Sequence, residues 1–133
     1  MACRADDCDV RNKAPARKGD DIAARLLGFA ADVLKASRLL RRGVPTTHVH
    51  RQLVQAATAG GANYEEARCA ENRADFVHKV RISAKEMREA QYWLKLVVKA
   101  ECTQNVETFL SLVEEADELI AILVSSANTA KAR

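Results

Sequence analysis

Apolar side chains recur along this sequence at steps of three and four residues, which is the period of an α-helix. The clearest case is the segment from Asp75 to Lys99, which contains no glycine or proline and is rich in good helix formers. One side of this segment is mostly apolar and predicts a core face, formed by Phe76, Val80, Ser83, Met87, Ala90, Leu94 and Val98.

The same period predicts four helices, at about 20–42, 46–71, 73–100 and 105–128. Asp20 or Asp21 is expected to cap the first helix, Gly43 to end it, and Asn105 to cap the fourth. Leu34 and Leu40 are counted among the apolar positions of the first helix. Helices of this length joined by short loops predict an all-α, up-down-up-down antiparallel four-helix bundle over residues 20–131.

The second predicted helix contains a row of small residues around Gly60 and Gly61. Two glycines inside a helix cost about 1 kcal/mol each relative to alanine, so they need a structural reason. The alternatives are a kink and the close approach of another backbone. Small residues on both sides of the pair favour close packing.

Composition and charge narrow the class of protein further. The 133 residues are 48% apolar, with a net charge of +3. Residues 1–51 carry 11 Lys/Arg and 6 Asp/Glu, while residues 52–133 carry 10 and 12, so an anionic partner is compatible with the sequence. Residues 1–19 are polar, without a helical period, and predict a flexible N-terminal tail. No signal-peptide pattern and no run of about 20 apolar residues is visible, so we expect a cytoplasmic protein and no membrane partner.

No set of residues with the spacing of a metal or catalytic site stands out. His48 and His50 are two residues apart and point in different directions on a helix, and Cys3 and Cys8 do not complete a zinc pattern with them. The four cysteines also form no plausible disulfide framework. The sequence lacks a phosphate-binding glycine loop and a Ser/His/Asp grouping. We therefore predict a protein that is not an enzyme, with no cofactor, no metal and no small-molecule substrate.

Glu86 and Glu89 are the only carboxylate pair that invites a chemical role. Di-iron bundles need Glu-x-x-His pairs, and this chain has none. The expected role is structural, with the carboxylates bonded to Lys, Asn or Tyr on neighbouring helices. Asn63 and Tyr64 on the second helix are the candidate partners.

Two further faces of the third helix carry the functional hypotheses. One is a basic stripe, nearly opposite the core face, formed by Arg81, Lys85, Arg88, Tyr92, Lys95 and Lys99. Cations on successive turns with an aromatic ring among them can bind phosphates and stack on a base. A solvated outer face would show the same pattern. The other is a strip that includes Trp93 and Leu96, which predicts either a subunit interface or a wider intramolecular core.

Several motifs resemble the bacterial four helix bundle protein family, whose members include proteins encoded in intervening sequences of 23S ribosomal RNA genes. They are Gly61-Ala62-Asn63-Tyr64-Glu65-Glu66-Ala67, Asp75-Phe76-x-x-Lys79, Lys85-Glu86-x-x-Glu89-x-x-Tyr92-Trp93-Leu94 and Glu114-Glu115-Ala116-Asp117-Glu118-Leu119. The resemblance covers roughly residues 20–131. The accessory variability determinant of diversity-generating retroelements looks like a relative.

This resemblance implies a four-helix protomer that assembles as a ring-shaped homopentamer, with a role in nucleic-acid binding. The retroelement relative is a basic barrel that binds RNA and a reverse transcriptase. The positions that match the family pattern are Asn63, Tyr64, Glu66, Lys85, Glu86, Glu89, Tyr92 and Trp93. Together with Leu96, those outside the basic stripe are expected at the oligomer interface or at contacts between helices.

Two hypotheses therefore stand at this point. In the first, the protein binds RNA or DNA, with RNA favoured, through the basic stripe. In the second, it is a structural or adaptor oligomer whose partner is a protein, such as a reverse transcriptase.

Overall fold

The computed structural model describes residues 15–133, so most of the predicted tail lies outside the described residues. Four helices account for nearly all of this part of the chain: α1 (Asp20–Ser37), α2 (Val44–Arg68), α3 (Arg73–Lys99) and α4 (Val106–Ala132). The only β-type pairing within residues 15–133 is an isolated bridge between Leu40 and Thr103. The prediction of an all-α protein with four helices packed together is confirmed.

Each helix packs against two others. The third helix packs along α2 and α4, and α1 closes the bundle by packing on the same two helices. Contacts between neighbours run in opposite directions along the chain: Ser83 contacts Gly60, and Lys79 contacts Glu66. The α2 and α3 helices are therefore antiparallel. The α1 and α2 helices are antiparallel as well, because Gly19 lies beside Tyr64 and Leu26 beside Gly61. The α1 helix lies diagonally opposite α3.

The core is formed by side chains from all four helices. Its fully buried members include Leu26, Phe29, Leu53, Met87, Leu94, Phe109, Leu119 and Leu123. The predicted core face of α3 is largely observed, but at its last turn Val97 is buried and Val98 is half-buried. Position 97 continues the alternating steps of four and three residues that lead to Ala90 and Leu94, whereas the predicted step from Leu94 to Val98 is a second consecutive step of four.

The first helix is shorter than predicted. It ends at Ser37 rather than near Arg42, and the chain then runs beside the loop between α3 and α4. The Arg41 N–H donates to the Cys102 carbonyl at 2.8 Å, and the Thr103 hydroxyl donates to the Leu39 carbonyl at 2.9 Å. Leu40 thus packs from a loop and not from a helix.

One apolar position of α1 does not contribute to the core. Leu34 belongs to the apolar pattern of α1, but it is 47% exposed. Its neighbour Val33, which belongs to the same apolar pattern, is fully buried as expected. The buried face of α1 is therefore narrower than the apolar pattern predicted.

Three of the predicted helix signals act differently from expectation. The residue before α1 is Gly19, in the left-handed conformation with φ +87°, and Asp20 does not cap the helix. Gly43 stands at the start of α2 rather than as the left-handed stop of α1. Asn105 precedes α4, but its side chain makes no capping bond; its N–H instead donates to the Thr103 hydroxyl at 3.1 Å. At α3, by contrast, Asn72 Oδ1 accepts from the Asp75 N–H at 2.9 Å.

The glycine pair in α2 marks a close approach between helices, as favoured from the sequence. The helix is continuous through both residues. A Cβ atom built on Gly60 would lie 2.6 Å from Met87 Sδ, and the Ser83 hydroxyl donates to the Gly60 carbonyl at 2.6 Å. A Cβ on Gly61 would meet Leu26 of α1 at 3.4 Å. The absence of side chains lets α2 pack closely against both neighbours.

Ion pairs and one amide add specific contacts between helices. Arg25 of α1 contacts Glu115 of α4 through two nitrogens, at 3.1 and 2.9 Å, and also contacts Glu118 at 2.7 Å. Gln91 of α3 donates to the Val113 carbonyl at 3.0 Å and to Asp117 at 2.6 Å. These contacts fix which faces of α1, α3 and α4 meet.

Cys69 and Cys102 are free thiols. Within residues 15–133, no helix is long and apolar enough to span a membrane.

Candidate nucleic-acid interface

The predicted basic stripe lies on the outside of the single chain. Its six residues, Arg81, Lys85, Arg88, Tyr92, Lys95 and Lys99, are all exposed. None of its five cations belongs to a salt bridge within residues 15–133. At 1.5 Å per residue the stripe is about 27 Å long. Its side chains are therefore available to an external ligand, although their role stays a prediction.

The first half of the stripe forms one wall of a groove between α3 and α4. Arg81, Lys85 and Arg88 face Val124 and Asn128 of α4 across a shallow depression. The groove continues toward the start of α3, where a second depression is lined by Arg73, His78, Arg81 and Lys131. Arg73 and Lys131 were missed from the sequence, because only the antiparallel packing brings the end of α4 beside the start of α3.

The second half of the stripe has a different neighbourhood. Tyr92, Lys95 and Lys99 border an apolar groove of about 500 Å³, whose other residues are Leu96, Val98, Leu110 and Val113. Tyr92 is 59% exposed and Leu110 is 40% exposed. The stripe therefore combines a cationic half with a half in which two lysines flank apolar surface. This division comes from α4 and is not visible on α3 alone.

Trp93 lies beside the stripe and is half-buried. Its ring meets His48 of α2 at a centroid distance of 5.8 Å and Tyr92 at 5.1 Å, both edge to face. The indole Nε1–H is buried and has no acceptor within residues 15–133. The ring thus packs partly within the chain, and its buried N–H is an unsatisfied donor in the described part of the chain.

The other predicted contact residues are dispersed. The Asn63 amide donates to the Ala59 carbonyl of its own helix at 2.8 Å, and Glu66 accepts from Lys79 at 2.9 Å. Tyr64 is buried at the opposite end of α2 from His48. The expected bonds from Glu86 or Glu89 to Asn63 and Tyr64 are not formed.

Asn63 and Tyr64 are not available to Glu86 and Glu89 because both side chains have other neighbours. Asn63 is close enough to bond its own turn, and Tyr64 packs beside Gly19. Glu86 is half-buried without a hydrogen-bonded partner in the described part of the chain. Burial raises its pKa, with a smaller contribution from the nearby Glu89 carboxylate. Leu96 is also half-buried and lines the apolar groove described above.

Metal-binding residues do not converge in the part of the chain that the structure describes. No group of three His, Cys, Asp or Glu side chains is close enough there to hold an ion. His48 contacts Trp93, and His50, two residues further along α2, is exposed. Cys3 and Cys8 lie outside the described residues.

Together these features define a small all-α protein, built as a four-helix bundle with a basic groove between its third and fourth helices. The chain belongs to the 23S rRNA-intervening sequence protein family, since the family model matches residues 21–125. This confirms the family resemblance inferred from the motifs. The match includes the whole basic stripe.

A solved structure has a similar fold. It is a protein of unknown function from the S23 ribosomal protein family of Bacteroides thetaiotaomicron, with 29% sequence identity and a TM-score of 0.71. The similarity covers 80% of this chain and 97% of that one. The search of curated proteins finds no match.

Proposed function

We propose that this protein is a non-enzymatic oligomeric bundle that binds nucleic acid, RNA in preference to DNA, through the basic stripe of α3. The observation that carries this proposal is the row of five exposed cations with no ion-pair partner within residues 15–133. An unpaired cation releases no internal partner when it binds a phosphate, so each contact retains its full counterion-release contribution. Tyr92, exposed in the same row, provides a ring on which a base can stack.

The groove supplies a second argument for the same surface. Arg73 and Lys131 extend the cationic half of the stripe beyond Arg81, and Asn128 offers an amide on the opposite wall. A single strand lying along this groove would meet cations on successive turns of α3. The exposed base-stacking ring would then lie toward the far end of the contact. Such a surface binds the backbone and reads little sequence.

For the assembly, the proposal is the ring-shaped homopentamer that the family resemblance implies. Exposed apolar surface on the single chain supports self-association, because contiguous apolar residues at the surface favour burial against a partner. Leu27 is 72% exposed and Leu34 is 47% exposed, seven residues apart on the outer face of α1. Trp93 and Leu96, both half-buried on α3, are further candidates.

The assembly is tested by measuring mass in solution with light scattering. Leu27→Asp and Trp93→Asp variants should each be examined, since Leu27 lies outside the core and its substitution should leave the protomer folded. A homopentamer predicts five times the protomer mass, reduced in at least one variant. A wild-type mass equal to the protomer would contradict the assembly, and an unchanged mass in both variants would exclude these faces as interfaces.

Nucleic-acid binding is tested by fluorescence anisotropy with labelled structured RNA, single-stranded DNA and duplex DNA over a range of salt. Binding should weaken with salt by a log–log slope of about −0.7 per phosphate contact for single strands and about −0.9 for duplex. The triple variant Arg81→Glu/Lys85→Glu/Arg88→Glu should lose about tenfold or more in affinity and flatten the slope by about 2.

A matched control is available at the C-terminal end of α1 and in the loop that follows it. Lys35→Glu/Arg38→Glu/Arg42→Glu makes the same change of charge at three exposed cations. If both triple variants lose affinity equally, the binding reflects net charge and not the stripe. Independence from salt would contradict the proposal.

A second candidate function rests on the apolar groove beside Tyr92. Its residues Leu96, Leu110 and Val113 present a mainly apolar surface that a protein partner could cover. In that case the protein is an adaptor oligomer, and a reverse transcriptase is one partner that the resemblance suggests. Absence of binding to all three nucleic acids at low salt would favour this function over the first.

A further inference from the structure

The end of the bundle where α1 and α3 begin and α2 and α4 end contains a cavity of about 580 Å³. Five cations and one tyrosine are among the residues that line it: Arg17, Lys18, Tyr64, Arg68, Arg73 and Arg133. No Asp or Glu side chain lines it. This concentration of positive charge is distinct from the basic stripe on α3.

Tyr64 supplies a polar group on the wall of this cavity. The residue is only 3% exposed, and its hydroxyl makes no hydrogen bond within residues 15–133. Gly19, with φ +87°, makes room for this hydroxyl, because a Cβ there would lie 2.6 Å from the Tyr64 hydroxyl oxygen. A tyrosine hydroxyl carries its proton at neutral pH and can donate it to an acceptor, and burial raises the pKa of Tyr64 further.

Arg68 is held in position on the same wall. Its side chain is 17% exposed and pairs with Asp20 and, at 3.2 Å, with Glu65. No side chain caps α1, so the N–H groups of Asp21 and Ile22 also lack an acceptor in the described part of the chain. Free N–H groups at a helix start favour an anion.

We propose that this cavity binds the phosphate monoester of a nucleotide, either a free mononucleotide or the phosphorylated end of a strand. A monoester carries about −1.5 to −2 charges at pH 7, whereas an internal phosphodiester carries one, so a site with several cations favours the monoester. Ile22 and Phe76 form an apolar side on which sugar or base can lie. The volume lies in the range of small-ligand sites, which is about 300–1,000 Å³.

The cavity lies close to the basic stripe. Binding of a phosphorylated strand end at the cavity rests on the proposed function, whereas binding of a free mononucleotide does not. Arg73 lines both the cavity and the depression that leads to Arg81 and the basic stripe. A strand bound along the α3–α4 groove would therefore bring its terminal phosphate to the cavity. The same site would distinguish a phosphorylated end from a hydroxyl end.

The test compares two RNA oligonucleotides of identical sequence, one 5′-phosphorylated and one with a 5′-hydroxyl, together with AMP and adenosine. Affinities are measured by anisotropy for the oligonucleotides and by calorimetry for the nucleotides. The full chain is used as wild type and as Tyr64→Phe, Arg73→Gln and Arg38→Gln. Tyr64→Phe removes only the hydroxyl, and its unfolding midpoint is measured as a check on folding. Arg38→Gln removes a cation at the other end of the bundle.

We expect AMP to bind and adenosine not to bind, and the phosphorylated RNA to bind about tenfold more tightly than its hydroxyl form. Tyr64→Phe should reduce this preference by about tenfold, the effect of one hydrogen bond to a charged group. Arg73→Gln should also reduce it, and Arg38→Gln should not. If both RNAs bind equally and AMP does not bind, the inference is overturned while stripe binding stands. AMP binding without RNA binding overturns the proposed function and supports the cavity.

Discussion

The contact between Gly60 and Met87 gives a prediction in which two known effects oppose each other. Replacing a helical glycine with alanine stabilises an open helix position by about 1 kcal/mol. At Gly60 the new methyl group would lie 2.6 Å from Met87 Sδ and 3.0 Å from Met87 Cγ, and Met87 is fully buried. Overpacking of this kind costs about 1–3 kcal/mol. We therefore expect Gly60→Ala to lower the free energy of unfolding by about 0–2 kcal/mol.

A double-mutant cycle isolates the contact itself. Met87→Ala alone leaves a cavity and should cost about 2–5 kcal/mol. In the double variant the alanine methyl group at position 60 occupies part of that cavity. The loss of unfolding free energy in the double variant should therefore be smaller than the sum of the two single losses by about 1 kcal/mol or more. Additivity within about 0.5 kcal/mol would refute the reasoning, because it would mean that Gly60 and Met87 do not contact each other.

Gly28 is the matched control for this cycle. It also lies inside a helix, but a Cβ built on it meets nothing within 4 Å. Gly28→Ala should therefore raise the free energy of unfolding by about 1 kcal/mol, the opposite sign to Gly60→Ala. The free energies come from chemical denaturation at one protein concentration, since self-association of the kind proposed above would make stability depend on concentration. Destabilisation by both substitutions would contradict the packing argument.

Three further predictions concern single polar groups. The Arg17 backbone N–H and the Arg68 guanidinium lower the pKa of Asp20. The ionised Asp20 should therefore stabilise the fold above about pH 4, and this contribution should be lost as the pH falls through the folded pKa. An unshifted pKa in an NMR titration of the Asp20 carboxyl would contradict this. Burial raises the pKa of Glu86, so ionisation of this carboxyl destabilises the fold as the pH rises. The Glu86→Gln variant should therefore be more stable than the wild type at pH 7 but not at pH 3. An equal effect at the two pH values would exclude ionisation of Glu86 as the cause. Ser83→Ala removes a buried hydrogen bond to α2 and should cost about 1 kcal/mol by chemical denaturation, and no loss would mean that the bond is not formed.

Local pattern was sufficient to predict the helices and most of the core. The period of 3.6 is set within each helix, so the burial of Val80, Met87 and Leu94 follows from α3 alone. The close packing at Gly60 was also predictable, because small residues cluster around it. Family membership followed from motifs that extend over most of the chain.

Features that depend on pairs of distant residues could not be predicted in the same way. The first helix ends early because its following loop pairs with Thr103, about sixty residues further along the chain. Asp20 does not cap α1, because its carboxylate accepts from the Arg17 backbone N–H and pairs with Arg68. In both cases a local propensity competes with a tertiary contact, and the contact prevails. The division of the basic stripe into two halves likewise requires knowledge of which α4 residues lie opposite.

The distribution of charge illustrates the same limit with a functional consequence. By sequence the net positive charge lies in residues 1–51, but the fold places cations from the described part of this segment at both ends of the bundle. Arg17 and Lys18 join Arg73 beside the cavity, whereas Arg38 lies at the opposite end. The third helix spans about 40 Å between these ends, several times the screening length of about 8 Å at physiological salt. Substitution of Arg38 should therefore leave the field at the cavity unchanged, so a loss of anion binding confined to Arg73 variants would identify a local site and not the overall charge.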